Sequence, residues 1–246
     1  MNVKLLIILT YALSDKVSGS SKPSNPSCLP DCSCQNEKHS YNARIEIDCR
    51  NAHYKRMPSP LVYAEDKENH FTPIRLTLAE NRIEHLDVAF LNQWKTLEVL
   101  SLSQNKLKSL SKSSEDERSL SNLKSLDLSL NSLQVLHTFV LAGFPWLRTL
   151  NLSHNQIHSI TEGAFILPSL HELDLSHNQM TEVSFHIFET SPNLDIIRFA
   201  HNRVSRLLGN YISVQSILSA ILFCILPIGS TLLCNSLVSR VNIRFN

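Results

Sequence analysis

Between residues 73 and 204 the apolar positions return in one short order. An apolar residue and two others precede an apolar–polar–apolar triplet; two more residues, an asparagine, a further residue and a closing apolar one follow. Six segments carry this eleven-residue frame: "PIRLTLAENRI" (73–83), "LEVLSLSQNKL" (97–107), "LKSLDLSLNSL" (123–133), "LRTLNLSHNQI" (147–157), "LHELDLSHNQM" (170–180) and "LDIIRFAHNRV" (194–204). Their asparagines, Asn81, Asn105, Asn131, Asn155, Asn178 and Asn202, are 24, 26, 24, 23 and 24 residues apart. The fourth and sixth positions alternate with polar neighbours, as on a strand buried on one face. No such unit buries that face alone, so the repeat predicts a solenoid in which neighbours share one apolar interior. Each asparagine leaves the strand for a turn, where its amide can satisfy backbone groups of adjacent coils. Phe90, Phe165 and Phe188 follow nine or ten residues later and are expected to point inward as a column. The second unit has no such phenylalanine. Its return, "KSLSKSSEDERSLSN", holds two extra residues, which predicts a loop bulging around Glu115 to Arg118.

The flanks read differently. Residues 1–14 carry one lysine and then an apolar run, the form of a secretory signal; a buried N-terminal helix is the alternative. Residues 15–27 are a polar linker. No charged residue stands between Arg206 and Arg240. Residues 211–234 are therefore expected to form a transmembrane helix, followed by a short cytoplasmic tail, 235–246. Arg240 and Arg244 suit a cytoplasmic end, making the chain a single-pass type I protein of the cell membrane. A lipid-anchor signal fits less well, because a basic segment follows the apolar one; a buried capping helix is the other alternative.

Four of the six cysteines, Cys28, Cys32, Cys34 and Cys49, cluster in residues 28–60. In an exported chain they read as two disulfides stapling a cap, with three pairings open. With a formal net charge of +1 the chain offers no reason to expect nucleic acid. Its five glycines are not clustered into a phosphate cradle, and no nucleophile elbow or paired metal motif occurs. The chain reads as no enzyme and needs no cofactor.

The six copies, over residues 61–208, together with the cap "CLPDCSC…IEIDCRNAHYKRMP" closely resemble the extracellular leucine-rich repeat family. That family includes Toll-type receptors, matrix proteoglycans and neuronal adhesion proteins. The resemblance implies an α/β-type repeat solenoid, a horseshoe with a parallel concave sheet and an N-terminal disulfide cap. It also implies the pairing Cys28 with Cys34 and Cys32 with Cys49, with Ile45 and Ile47 on a first strand beside the stack. No cysteine cap follows the sixth repeat, and Phe199 and Ala200 replace the usual Leu and Ser there.

If the sheet is concave, the second, third, fifth, seventh and eighth positions of each frame are expected to face solvent. Asp127, Arg148, Asn151, Glu172, Asp174 and Arg198 are the candidate protein-binding residues. Asn151 also heads the chain's sequon, "NLS", and is the candidate glycosylation site. The eighth column ends in His154, His177 and His201. Zinc binding needs converging ligands, whereas one column projects in parallel, so these read first as ordinary repeat residues and second as an acid sensor. The expected function is capture of an extracellular protein ligand or co-receptor on the concave face, as an adhesion molecule, co-receptor or decoy. The alternatives are a secreted matrix-type binder and a shortened form of a larger Toll-type receptor.

Overall fold

The computed structural model describes residues 28–36, 44–59, 72–112 and 122–208. The signal, linker, apolar span, tail and bulging loop expected from the sequence lie outside the described residues. Within them, no helix is long and apolar enough to cross a membrane.

The cap supplies β1 (Ser33–Asn36) and β2 (Arg44–Asp48). Each repeat then contributes a frame strand and a return strand: β3 (Thr72–Thr77) and β4 (His85–Asp87), β5 (Val99–Ser101) and β6 (Ser109–Ser111), β7 (Ser125–Asp127) and β8 (Val135–Leu136). The remaining three give β9 (Thr149–Asn151) and β10 (Ser159–Ile160), β11 (Glu172–Asp174) and β12 (Glu182–Ser184), and β13 (Ile196–Arg198) and β14 (Arg206–Leu208). The frame strands join the cap in one sheet of order β1-β2-β3-β5-β7-β9-β11-β13. All its pairs are parallel except β1 with β2. Return strands pair in twos, β4 with β6, β8 with β10 and β12 with β14.

The returns correct the α/β expectation. Among the described residues they contain short strands and the 3₁₀ turns Val88–Gln93 and Phe185–Phe188, and no α-helix. The reason is length. A mean α-helix needs about 11–12 residues, and a unit of 23 to 26 residues has spent about half or more of its chain on the frame and return strand.

The interior is one continuous apolar cluster from Leu29 in the cap to Phe199 in the last frame. The phenylalanine column is shorter than expected. Phe165 and Phe188 stack with centroids 6.1 Å apart, and Phe199 meets Phe188 edge-on. Phe90 is only half-buried, because the inward site is the tenth residue after the asparagine, not the ninth. Leu91, Leu141, Phe165 and Phe188 fill it. Residues this buried each stabilise the coil by about 1.5–3 kcal/mol relative to exposure.

The cap closes one edge of this interior. Ile45 and Ile47 are buried on β2, and β1 pairs with β2 on its other side. Disulfides join Cys28 to Cys34 and Cys32 to Cys49. The Tyr54 hydroxyl donates to the Pro30 carbonyl at 2.7 Å, tying the cap's start to its end.

Candidate functional site: the exposed face of the sheet

The asparagines fix the rungs on which the face is built. Asn155 is typical. Its Nδ2 donates to the Leu152 and Ser153 carbonyls of its own turn and to Leu128 of the preceding coil. Its Oδ1 accepts the N–H of Leu133, also in the preceding coil. Asn81, Asn105, Asn131, Asn178 and Asn202 repeat the arrangement. Every amide is consumed in stitching coil to coil.

With the rungs fixed, the first, fourth and sixth positions of every frame are buried. The fifth is half-buried throughout. The seventh departs from expectation: Ala79, Ser129, Ser153 and Ser176 are buried, and Ser103 and Ala200 half-buried. The turn draws this position in. The Ser129 carbonyl accepts the Asn131 amide at 3.1 Å and the Gln104 N–H of the preceding rung at 3.0 Å. Its own N–H is taken by Asp127 Oδ1 at 3.0 Å. Asn151 and Asp174 cap Ser153 and Ser176 in the same way, and Asp48 caps Arg50 in the cap.

The eighth position carries a property that hydrophobic periodicity does not reveal. Glu80, Gln104, Leu130, His154, His177 and His201 all have positive φ, between 54° and 59°, and so does Asn51 at the matching place in the cap. All of these N–H groups except that of His201, in the last rung, donate to the seventh-position carbonyl of the following rung, at 2.8–3.1 Å. The left-handed conformation is the one that keeps this bond while the chain turns away. It favours Asn and His over branched or apolar residues. In the last three rungs the imidazoles stack, His154 on His177 and His177 on His201, each at 4.0 Å. Desolvation, followed by repulsion from His154 and His201, holds the His177 pKa below the usual imidazole value, with Asp174 pulling the other way. Parallel rings do not converge, and among the described residues no group of three His, Cys, Asp or Glu side chains is placed to hold a metal.

The six candidate contact residues fall into two sets. Five are occupied within the face: Asp127, Asn151 and Asp174 in turn caps, and Glu172 and Arg198 in a pair with each other. Arg148 is exposed, and no carboxylate among the described residues pairs with it. Next to it, sequence reasoning missed Trp146, which is 56% exposed. Both border a shallow groove of about 240 Å³ along the strand-entry edge of the sheet.

A sheet of stacked parallel rungs, an asparagine stitch in each turn and a disulfide cap define a class of repeat protein. The leucine rich repeat family model matches residues 75–123, 115–157 and 145–204, over half of the chain, and the chain belongs to that family in its extracellular, cysteine-capped form. It is 32% identical to mouse (Mus musculus) Tsukushi over 145 residues, 56% of this chain. The match spans 37% of the length of Tsukushi. Among solved structures, the crystal structure of a TLR13-ssRNA13 complex aligns at 24% identity with a TM-score of 0.44, covering 60% of this chain and 27% of that one.

Proposed function

We propose that this chain is a cell-surface binding protein that captures another protein on the exposed face of its sheet, anchored by residues 211–234. The observation that carries the reading is the face itself. Its six frame strands, about 4.8 Å apart, make a footprint roughly 24 Å across, the scale of a protein loop. The groove at its edge is shallow, which disfavours a buried small molecule as the ligand. Glu172 and Arg198, already paired, are ready to exchange partners with an incoming charged group.

Asn151 is proposed as a glycosylation site. It sits between Asp127 and Asp174 in the fifth column, paired in register with both. A glycan there would exclude a partner from the middle rungs and shift contact to the edges of the face.

The test uses the full chain expressed in cultured cells. Binding to an array of extracellular proteins is compared for wild type, Asp174→Ala and Arg198→Ala, alongside intact-mass analysis at Asn151. Unchanged binding in both variants with a bare Asn151 removes the face as the contact surface. A secreted matrix-type binder, in which residues 211–234 do not span a membrane, is the second reading. Carbonate extraction separates the two: full-length chain released into the soluble fraction selects the secreted form.

A further inference from the structure

Of the exposed features, one is a built groove at which the fold's own demand and the residue present disagree. In three rungs the residue just before the frame donates a side-chain hydrogen bond to a backbone carbonyl at the start of the preceding rung. Thr96 Oγ1 donates to the Pro73 carbonyl at 2.8 Å. Asn122 Nδ2 donates to Lys95, and Asn193 Nδ2 to Pro168, both at 2.6 Å. The fold asks for a small polar donor at this place. In the fourth rung it holds Trp146, whose ring stands in solvent.

The groove is lined by Trp146 and Ser169, each just before a frame, and by the second-position residues Lys124, Arg148 and His171. Lys124 is paired with Glu98 at 2.9 Å. Arg148 pairs with no carboxylate among the described residues. The His171 Nδ1–H donates to the Ser169 carbonyl at 2.7 Å, which leaves Nε2 as the ring's free nitrogen. The groove therefore offers one flat apolar surface and one unengaged guanidinium on the fourth rung and one imidazole edge on the fifth, with Lys124 beside them on the third. Three rungs span about 10 Å between their outer axes, the reach of roughly three extended residues. Exposed Trp and Arg together are the residue types on which protein contacts concentrate their energy.

From this we infer that the groove receives an extended segment of a partner protein carrying a carboxylate beside an apolar side chain. Arg148 pairs the carboxylate, and the apolar side chain packs on the Trp146 ring. This rests on the proposal that the chain binds protein, and it moves the centre of contact to the edge, where a glycan at Asn151 leaves room. Charge decides between a peptide and an acidic polysaccharide. The chain's formal net charge is +1, and the groove presents a single unpaired cation; a polyanion would need a dense row of them.

The probe is a displayed library of random twelve-residue peptides, selected on the full-length chain, on Trp146→Ala and on Arg148→Glu. Both substitutions are at exposed side chains, and unchanged secretion and circular dichroism confirm folding. Expected is enrichment of peptides with Asp or Glu next to an apolar residue, bound roughly tenfold more weakly by either variant. No enrichment, enrichment without an acidic bias, or equal binding by both variants overturns the inference. So does retention on heparin that Arg148→Glu abolishes without any peptide selection, which would assign the groove to a sulfated polysaccharide. Loss of array binding in Asp174→Ala or Arg198→Ala, with the groove variants unaffected, rejects the groove and leaves the proposed function standing.

Discussion

The imidazole of His177 lies flat against that of His154, ring centroids 4.0 Å apart and planes within 10°. His201 covers its other face. A proton on His177 would place a charge between two closely stacked imidazoles. Because its folded pKa lies below the ordinary imidazole value of 6.5, the unfolded chain binds this proton first. The contribution is complete above about pH 6.5 and is lost as pH falls through the depressed folded value. Urea midpoints measured between about pH 7.5 and 5 should decline for wild type and decline less for His177→Asn. Parallel profiles would show that the stack does not couple to protons.

The asparagine stitch gives a sharper expectation. Asn155→Ala leaves buried carbonyls and the Leu133 N–H without their partner. Each unsatisfied group costs about 1–3 kcal/mol. The chain should fall in secreted yield and denaturant midpoint far more than an exposed-face change such as Gln156→Ala. Comparable midpoints for the two would mean that the stitch is replaceable by water.

Loss of the cap should act on the whole stack. Cys32→Ser breaks the bond to Cys49, next to β3. Removing a native disulfide from a small exported unit typically costs about 2–5 kcal/mol. Secretion of this variant should drop below that of Asp174→Ala or Arg198→Ala, as read by immunoblot of surface and medium fractions.

Leu130 offers a change in the opposite direction. It is 45% exposed at φ 55°, so the fold gains little from its side chain and bears the left-handed conformation. For an L-residue that conformation costs roughly 1–2 kcal/mol, and asparagine tolerates it better. Leu130→Asn should raise the denaturant midpoint by about 1 kcal/mol in stability. A lower midpoint would show that Leu130 packs on its rung neighbours to greater effect than its exposure implies.

What periodicity encodes was legible from the residues. The burial of Leu126 and Leu150, the stitch at Asn155 and the stacking of rungs all follow from the eleven-residue frame. What turn geometry encodes was not. Asp127 and Ser129 read as two exposed polar residues, yet one caps the other's N–H and both are drawn inward. The Asp/Asn-Leu-Ser triplet, recurring at 127, 151 and 174, was the available signal for that Asx turn. The histidines read first as ordinary repeat residues, but the positive φ that explains their residue type was not legible in the periodicity. Trp146 was passed over because it stands one residue outside the frame.

The frame strands from β3 to β13 pair rung on rung without a register shift. Alternate rungs therefore lie roughly 9.6 Å apart, near the distance beyond which substitution energies become additive. Adjacent rungs, by contrast, are coupled through contacts such as Glu172 with Arg198. The binding surface thus behaves as a row of semi-independent digits: selection can rewrite every second rung without renegotiating the rest. Recognition on such a scaffold diversifies by nearest-neighbour edits, not by redesign of the whole.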